Sequence, residues 1–176
     1  MHNEQLESRA ALPPMTAIGV IHTTFLHANG APIQAATAGG AQGTVEIFPE
    51  FAEGLKDVAG FERLWLIFLL DRASAPQLIV RPYLDTQEHG IFSTRAPARP
   101  NPIGLSAVRL LSMEGNHLVV ADVDMLDGTP LLDIKPYVPA FDSFAATRIG
   151  WYEGKIARGV VADNRFETRQ HDIHRD

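Results

Sequence analysis

The 176-residue sequence contains no cysteine. Disulfides, thiolate nucleophiles, iron–sulfur clusters and cysteine-ligated zinc are therefore excluded. Histidine offers little in their place, because His22 and His27 lie five residues apart and His171 and His174 lie in a polar tail without an accompanying carboxylate cluster. We therefore expect no catalytic metal.

Several other signatures are also missing. The chain has no uninterrupted apolar run of about 18 residues that could cross a membrane. Residues 1–14 lack the apolar segment of a secretory signal, so we expect a cytoplasmic protein. There is no G-x-G-x-x-G fingerprint between a strand and a helix, no G-K-[ST] phosphate loop and no G-x-S-x-G elbow. A Rossmann cofactor domain, nucleotide hydrolysis and α/β-hydrolase chemistry are therefore disfavoured.

The composition is that of an ordinary globular protein, with 45% hydrophobic and 20% charged residues. The length suits one domain with a substantial core. We expect that domain to span residues 16–162. An N-terminal extension (residues 1–15) would precede it, and a polar C-terminal tail (residues 163–176) would follow.

Short apolar stretches separated by proline and glycine predict a mainly β fold with short helical segments. Strands are expected at residues 16–22, 44–48 and 78–80, with a helical or turn segment at 51–61. Residues 64–70 form a continuous apolar run, which predicts a strand buried on both faces. The strongest hairpin signal is residues 114–116, which join predicted strands at 105–113 and 117–125. The expected inward positions of that hairpin are Val108, Leu110, Leu118, Val120 and Val123.

Two short segments concentrate prolines, glycine and polar side chains. The first motif, residues 95–104, reads Arg-Ala-Pro-Ala-Arg-Pro-Asn-Pro-Ile-Gly, and the second motif, residues 127–137, reads Asp-Gly-Thr-Pro-Leu-Leu-Asp-Ile-Lys-Pro-Tyr. Because proline fixes φ and lacks an amide donor, this composition disfavours helices and central strands. We predict two shaped loops that carry the functional site. The alternative is that each is a proline-rich turn between strands.

Charge narrows the possible ligands. The formal net charge of −6 argues against a protein that coats nucleic acid non-specifically. Around the first motif the balance is locally positive, with Arg81, Arg95, Arg99 and Arg109 against Asp85 and Glu88. Since the guanidinium fork suits carboxylate and phosphate oxygens, an anionic or zwitterionic ligand is expected. The alternative is that these arginines pair with Asp122 and Asp124.

The two motifs in this order, with Gly-Ile-Phe-Ser-Thr before the first, resemble the YaeB-like family, whose best understood members are TrmO-type tRNA methyltransferases. Residues 18–21, 32–34 and 60–65 resemble the same family, so the resemblance covers residues 17–141. It implies a single-sheeted β-barrel that binds S-adenosylmethionine without a Rossmann domain, and a homodimer with the cofactor site near the subunit interface. It also implies methylation of N6 of threonylcarbamoyladenosine at position 37, in the tRNA anticodon loop.

Within that resemblance, both motifs are expected to contact the cofactor. The first would supply a rigid cradle, in which Arg95 or Arg99 binds the methionine carboxylate or an RNA phosphate. The start of the second would supply polar contacts and apolar walls. The expected cofactor-binding residues are Arg95, Arg99, Pro100, Asn101, Pro102, Ile103, Gly104, Leu126, Asp127, Gly128, Thr129 and Leu131.

The expected catalytic residues are Asp133, Lys135 and Tyr137. The acceptor nitrogen is amide-like, so methyl transfer requires loss of its proton and a nearby base would help. Asp133 is the first candidate for that base and Tyr137 the second, while Lys135 would hold the threonyl carboxylate or tune its neighbours. The alternative is that the three form a structural network that fixes residues 130–139.

Two departures from the family keep other functions open. Ile33 stands where family members often carry arginine, and some relatives carry a further C-terminal domain where this chain has a short tail. One alternative is a methyltransferase of the same fold that acts on another RNA or a small molecule. The other is a non-catalytic cofactor sensor or interaction module.

Overall fold

The computed structural model describes residues 13–156 and 160–168. Most of the expected N-terminal extension and the last eight residues of the expected tail lie outside these ranges. None of the helices in these two ranges has the length and apolar character of a membrane span. The strands of the described ranges are β1 (Gly19–His22), β2 (Gln42–Ile47), β3 (Arg63–Leu69), β4 (Ile79–Val80), β5 (His89–Gly90), β6 (Ile103–Glu114), β7 (His117–Ala121) and β8 (Thr129–Pro136).

Helical structure is limited to short segments, as the sequence predicted. The α-helix α1 spans Pro139–Asp142. The 3-10 helices of the described ranges are Ala35–Thr37, Pro49–Leu55, Val58–Gly60, Ile91–Ser93, Gly150–Tyr152 and Asn164–Phe166. Two of them fall within or overlap residues 51–61, where a helical or turn segment was predicted.

Six strands close into one antiparallel barrel in the order β1-β2-β7-β6-β3-β8, while β4 and β5 form a separate two-stranded sheet. The prediction of a mainly β, single-sheeted barrel is therefore confirmed. Closure pairs both edges of the sheet, so the barrel leaves no open edge of the kind that invites aggregation.

The barrel interior is filled by alternate residues of each strand. In β3, Leu64, Leu66 and Phe68 are buried, whereas the intervening residues are only partly buried. The prediction that this strand is buried on both faces is therefore wrong. Its outer face carries large side chains, among them Trp65 and Ile67, that no other layer fully covers.

The predicted hairpin is confirmed, with a tight turn between the paired residues Glu114 and His117. Of the five expected inward positions, four are fully buried and Leu110 is only partly buried. Leu110 lies at a shift in register between β6 and β7. The second strand ends at Ala121, short of the predicted end, because Asp122 adopts a positive φ of 69° that the strand conformation does not allow.

The second motif forms mostly a strand rather than the predicted loop. β8 pairs with β1 on one side and with β3 on the other. Pro130 is its second residue and Pro136 its last. The missing amide donors therefore fall where the hydrogen-bonded ladder begins and ends, which a strand tolerates.

A β-bulge in β8 decides which of its side chains face outward. The pairing of β8 with β3 skips Leu132, which is therefore the extra residue. Leu131, before the bulge, points into the barrel and is fully buried. Asp133 and Lys135, after it, lie on the partly exposed outer face.

The first motif is a loop up to β6, as predicted, and it packs on a small core of its own. Ala96 and Ala98 are buried in a cluster with Val80, Ile91 and Phe166. Because Ala96 and Ala98 point inward, the alternate positions of the motif point away from this cluster. The contribution of Phe166 also means that the packed part of the chain extends into the segment 163–168.

Candidate functional site

Antiparallel pairing brings the starts of both motif strands to one end of the barrel. β6 and β8 run antiparallel to β3, so their first residues lie near its last residue, Leu69. Arg72 follows β3, and its guanidinium donates to the backbone oxygens of Asp127 and Leu26. Tyr137 lies towards the opposite end, roughly 20 Å along a strand that rises about 3.3 Å per residue.

A cleft of about 450 Å³, here called the polar cleft, lies on the outer face of β3 and β6. Its volume falls in the range of about 300–1,000 Å³ that is typical of small-molecule sites. Cationic, anionic, amide and aromatic residues line it, and both motifs contribute. The lining residues are Gln34, Ala35, Ala36, Arg63, Trp65, Arg95, Leu105, Ser106, Ala107, Asp122, Tyr137 and Asp142.

Arg95 is the first-motif residue that lines the polar cleft. Its side chain is exposed, and its guanidinium donates to Oε1 of Gln34. Gln34 directly precedes the 3-10 helix Ala35–Thr37, so this contact ties the helix to the first motif. Because a guanidinium carries five N–H donors, Arg95 has further donors for an anionic ligand.

Arg63 forms another part of the cleft wall and is held in place by two contacts. Its guanidinium donates to the carbonyl oxygen of Ala107 at 3.3 Å and to Oδ2 of Asp122 at 3.1 Å. The sequence had suggested Asp122 as a partner of the arginines around the first motif. That alternative is wrong for Asp122, because its ion-pair partner comes from β3.

Tyr137 brings the end of the second motif to the polar cleft. Its ring packs edge-to-face on Trp65, with centroids 5.4 Å apart and planes at 60°. Its backbone N–H donates to the carbonyl oxygen of Arg63 at 3.1 Å, which fixes its position beside β3. Two adjacent aromatic rings offer a surface that suits a planar base or a cation.

The other two expected catalytic residues form an ion pair outside the polar cleft. Nζ of Lys135 lies 2.7 Å from Oδ2 of Asp133, and both side chains are about half exposed. Oδ1 of Asp133 also accepts from the backbone N–H of Ile134 at 2.9 Å. Lys135 lies opposite Trp65 in the strand register, so the pair borders the aromatic side of the cleft.

Asp133 also contributes to a second cavity, of about 400 Å³, with a mainly apolar lining. This cavity lies between the barrel and the helical segments Pro49–Leu55 and Val58–Gly60. Lys56 is the other charged residue in its lining. Tyr137 does not line it, so the structure does not bring Asp133 and Tyr137 into one cavity.

Arg99 and Gly104 make contacts that stabilise the fold. Nη1 of Arg99 donates to three backbone carbonyls between residues 91 and 96, at 3.0–3.4 Å. A Cβ at Gly104 would lie 2.1 Å from the ring of Phe68. The glycine therefore makes room for a side chain of the barrel core.

The remaining residues of the first motif lie where the chain enters β6. Pro100 and Asn101 are exposed, and the carbonyl oxygen of Pro102 accepts from the N–H of Leu70 at 2.7 Å. Ile103 is 39% exposed on the outer face of the barrel. The described contacts do not bring these four residues to the polar cleft.

The first residues of the second motif close a tight turn before β8. Oδ1 of Asp127 accepts from the N–H of Thr23 at 3.0 Å, and Gly128 adopts a φ of 77°. The hydroxyl of Thr129 donates to the carbonyl oxygen of Leu126 at 2.7 Å. The Asp127 contact ties the turn to the residue that follows β1, the Thr129 contact lies within the turn, and none of these residues lines the polar cleft.

Sequence reasoning did not select several residues of the polar cleft. Arg63 and Trp65 alternate with the inward-facing residues of β3, so the period-two pattern could have placed them on the outer face. Gln34 and Ser106 reach the cleft only through tertiary contacts. No local pattern marks Ser106, whereas Gln34 belongs to the segment 32–34 that resembles the family.

A carboxyl group lies behind the wall of the polar cleft. Oδ1 of Asp124 accepts from the hydroxyl of Ser106 at 2.6 Å. The residue as a whole is partly buried, but its carboxyl group is largely removed from water. Burial raises the pKa of Asp124 to about 6, against the opposing effects of hydrogen bonds from Ser106 and the backbone at Ala35 and of the Arg95 charge.

Within residues 13–156 and 160–168, no group of three or more His, Asp or Glu side chains is arranged to hold a metal ion. The polar cleft instead places guanidinium, carboxylate and aromatic groups side by side. This arrangement can bind a zwitterionic ligand that also carries a planar base.

A closed antiparallel barrel with a polar cleft on its outer face defines a class of non-Rossmann ligand-binding domain. Residues 20–143 match the family described as tRNA-methyltransferase O N-terminal domain. The chain belongs to this family, which confirms the resemblance drawn from the two motifs.

Known relatives extend this comparison. A probable S-adenosyl-L-methionine-binding protein from Pyrococcus abyssi is 55% identical over 85% of this chain and 82% of its own length. The human tRNA (adenine(37)-N6)-methyltransferase is 32% identical over 72% of this chain and 30% of its own length. The crystal structure of TrmO from Pseudomonas aeruginosa aligns with a TM-score of 0.67 and 38% identity, over 80% of this chain and 63% of that one. The chain thus spans less than two thirds of the human protein and of that structure.

Proposed function

We propose that this chain is an S-adenosylmethionine-dependent methyltransferase that uses the polar cleft, with N6 of threonylcarbamoyladenosine at position 37 of tRNA as acceptor. The observation that carries the proposal is that Arg95 of the first motif and Tyr137 of the second line one cleft. Family membership supports the reaction class, since relatives are named as S-adenosyl-L-methionine-binding proteins and as a tRNA methyltransferase.

The groups that line the cleft fit the chemistry of the cofactor. S-adenosylmethionine carries a carboxylate, an ammonium, a sulfonium and an adenine, and it supplies an electrophilic methyl group when bound. Arg95 suits the carboxylate, and the rings of Trp65 and Tyr137 suit the sulfonium and the adenine. Asp122 and the amide of Gln34 can accept hydrogen bonds from the ammonium or the ribose.

Methyl transfer to the acceptor requires that N6 lose one proton. The N6–carbon bond forms as the sulfur–carbon bond breaks, and the hydrogen on N6 leaves as a proton to a base. The two candidates for that base differ in position: Asp133, the first candidate from the sequence, lies in an ion pair at the border of the cleft, whereas Tyr137, the second, lines the cleft itself. Nζ of Lys135 lies 2.7 Å from Oδ2 of Asp133, and in this proposal Lys135 contacts the threonyl carboxylate of the acceptor or tunes its neighbours.

The remaining expected cofactor contacts stay part of the proposal, with the roles that their positions support. Arg99 stabilises the loop behind Arg95, and residues 100–104 lead from that loop into β6. Residues 126–129 and Leu131 fix the start of β8 and thereby the strand that carries Tyr137. We expect these residues to act on the cofactor through the shape of the barrel.

The acceptor lies in a single-stranded loop, so its base can enter a cleft without melting a helix. Leu105 lines the cleft and is 55% exposed, and Ile103 beside it on β6 is also exposed. An apolar patch at this place supports a homodimer with the site near the subunit interface. Such an enzyme would act in the cytoplasm.

Label mapping tests the proposal. The protein is incubated with S-adenosylmethionine labelled in its methyl group and with total RNA from cells that lack the corresponding gene, and the labelled nucleosides are then identified. We expect label in tRNA, in the N6-methyl derivative of threonylcarbamoyladenosine. Label in another RNA or in a small molecule would reject this acceptor, and binding without transfer would favour a cofactor sensor.

Variants of the expected catalytic residues test their roles. Asp133→Asn, Lys135→Ala and Tyr137→Phe are compared at saturating cofactor with Glu114→Gln, which alters an exposed carboxyl at the far end of β6. We expect loss of the base, in Asp133→Asn or alternatively in Tyr137→Phe, to slow transfer about 100-fold or more. Lys135→Ala should slow transfer through loss of a contact to the acceptor. Full transfer by all three folded variants would reject this assignment.

A further inference from the structure

We propose that residues 143–150, here called the strap, bind single-stranded RNA beside the polar cleft, with the ring of Phe144 against a base and the guanidinium of Arg148 on a phosphate. This role rests on the proposed function, because it names the segment that contacts RNA next to the acceptor base. The strap begins at the last residue of the family match, which spans residues 20–143. Family membership therefore assigns it no role.

Both ends of the strap are attached to the surroundings of the polar cleft. Before the strap, Asp142 lines the cleft, and its Oδ2 accepts from the backbone N–H of Val138 at 2.7 Å. After the strap, Nε1 of Trp151 donates to the carbonyl oxygen of Ser93 at 2.8 Å, two residues before the cleft residue Arg95. The strap therefore runs from one wall of the cleft to the neighbourhood of the other.

Aromatic stacking holds the end of the strap at Trp151. Its ring stacks on His89, with centroids 4.4 Å apart and planes at 21°, and on Tyr152, with centroids 3.9 Å apart and planes at 25°. Nζ of Lys155 lies 5.9 Å from the centre of the Trp151 ring and pairs with the carboxyl of Asp85. These contacts fix the end of the strap and do not involve its middle.

The middle of the strap is exposed to solvent. All eight of its residues are exposed, and Phe144 is 81% exposed. Within the described ranges, the backbone of residues 144–149 forms no hydrogen bond with other backbone groups. A ring exposed to this extent contributes little to folding, and exposed apolar groups beside a cleft are typical of a binding surface.

Charge and aromatic content indicate RNA as the ligand of the strap. Arg148 is its one charged residue, in a chain whose net charge is −6. Aromatic residues surround it in the sequence, at Tyr137, Phe141, Trp151 and Tyr152. Proteins bind single strands by stacking bases on aromatic rings and by placing cations on phosphates.

A second copy of this chain fits the strap less well. Homodimers mostly use two-fold contacts, in which the same surface of each copy meets the other. Such a contact centred on the strap would bring two Arg148 side chains together. The strap carries no acidic residue to offset their repulsion.

Binding of tRNA tests this role without requiring methyl transfer. The full chain, as wild type, Phe144→Ala and Arg148→Ala, is titrated into fluorescently labelled total tRNA from cells that lack the corresponding gene, at several salt concentrations. Leu78→Ala and Arg81→Ala are matched controls, because both residues are exposed and lie outside the strap and the cleft lining. Affinity for S-adenosylmethionine is measured on the same proteins by calorimetry.

Phe144→Ala should weaken tRNA binding about tenfold, in keeping with loss of one stacked base. Arg148→Ala should weaken it as well, and should reduce the slope of log affinity against log salt concentration by about one. All four variants should bind S-adenosylmethionine as the wild type does, since none of the substituted residues lines the polar cleft.

Hydrogen exchange on the wild type is a second measurement that needs no variant. Backbone hydrogen bonds do not protect amides 144–149, so these amides should exchange rapidly in the unliganded protein. Added tRNA should slow their exchange, whereas S-adenosylmethionine alone should not.

Wild-type tRNA affinity in both folded variants would overturn the inference, as would exchange of amides 144–149 that tRNA does not slow. Loss of S-adenosylmethionine affinity with tRNA affinity intact would assign the strap to the cofactor instead. Dissociation of a dimer in Phe144→Ala with unchanged tRNA binding would assign it to a second copy.

Failure of the proposed function gives a different result. A wild type that binds tRNA through Phe144 and Arg148 but transfers no methyl group to it would reject the proposed function and support the role of the strap. A wild type that methylates tRNA while both variants bind tRNA normally would reject the role of the strap alone.

Discussion

Gly104 shows how one residue connects the first motif to the barrel core. It is buried on β6 directly opposite Phe68, whose ring occupies the space that a Cβ would need. Gly104→Ala should therefore lower the free energy of unfolding by about 1–3 kcal/mol, the usual cost of overpacking. Urea denaturation measures the change. Gly54→Ala is the control, because no atom lies within 4 Å of a Cβ at Gly54, and equal stability of both variants would contradict this account.

Asp124 makes a prediction about stability that is independent of ligand binding. Burial raises its pKa from 3.8 to about 6, so the folded state binds the proton more tightly than the unfolded state does. Folding is therefore opposed increasingly as pH rises through this interval, by up to about 3 kcal/mol above it. Asp124→Asn removes this effect, so its stability relative to the wild type should rise between about pH 4 and 7. A difference that does not change with pH would contradict the burial of this carboxyl.

The sequence could predict site residues that lie in a local motif or in a strand with an alternating pattern. Arg95 and Tyr137 were expected from the two motifs, and both line the polar cleft. Arg63 and Trp65 could have been placed on the outer face by the alternation of β3. Ser106 could not be predicted, because its hydroxyl donates to the carboxyl of Asp124, which comes from another part of the chain.

At the scale of elements, the amino-acid composition of the second motif did not predict its secondary structure. Its prolines predicted a loop, but β8 places Pro130 and Pro136 at the ends of the ladder. Strand register is a second feature that the sequence did not predict. Because Leu132 is an extra residue in β8, Leu131 faces inward and Asp133 faces outward. A sequence pattern without a partner strand does not specify where such a bulge falls.

A second element-scale feature fastens the segment 150–155 to the loop that precedes the first motif. The carboxyl of Asp85 contacts Nε2 of His89 at 2.9 Å and also the ammonium of Lys155. Lys155 and His89 hold the pKa of that carboxyl well below its usual range. Trp151 stacks on His89 and donates to the carbonyl oxygen of Ser93 at 2.8 Å.

This attachment should depend on the charge of Asp85. Because its pKa is lower in the folded state, the stabilisation is present above the ordinary aspartate pKa and is lost as pH falls below it. Asp85→Asn should therefore increase hydrogen exchange of amides 150–155 at neutral pH, while the barrel strands stay protected. Glu153→Gln, an exposed carboxyl of the same segment, is the control. Unchanged exchange in Asp85→Asn would show that the segment is held by other contacts.

At the scale of the whole molecule, the proposed homodimer depends on the apolar outer face of β6. Leu105→Glu should shift the protein from dimer to monomer in analytical ultracentrifugation, because a charge would be buried at the interface. Leu111→Glu is a matched control, since Leu111 is 40% exposed on the same strand but does not line the polar cleft. A monomeric wild type would contradict the dimer, and a dimeric Leu105→Glu protein would place its interface elsewhere.

The barrel explains why two motifs separated in the sequence belong to one site. β3 lies between β6 and β8, so strands that carry the two motifs are both its neighbours. Motif order and composition predicted a shared site, but only the closed sheet shows that Arg95 and Tyr137 meet on its outer face. Of the expected cofactor-binding residues, Arg95 alone lines this cleft. Residues 100–104, 126–129 and Leu131 lie at the end of the barrel where β6 and β8 begin.

A crystal structure of the protein with S-adenosylhomocysteine, the product of methyl transfer, tests the central claim most directly. The account predicts the ligand in the polar cleft, with its carboxylate at Arg95 and its base or sulfur against Trp65 and Tyr137. A ligand bound instead at the turn formed by Asp127, Gly128 and Thr129, with the polar cleft empty, would contradict it.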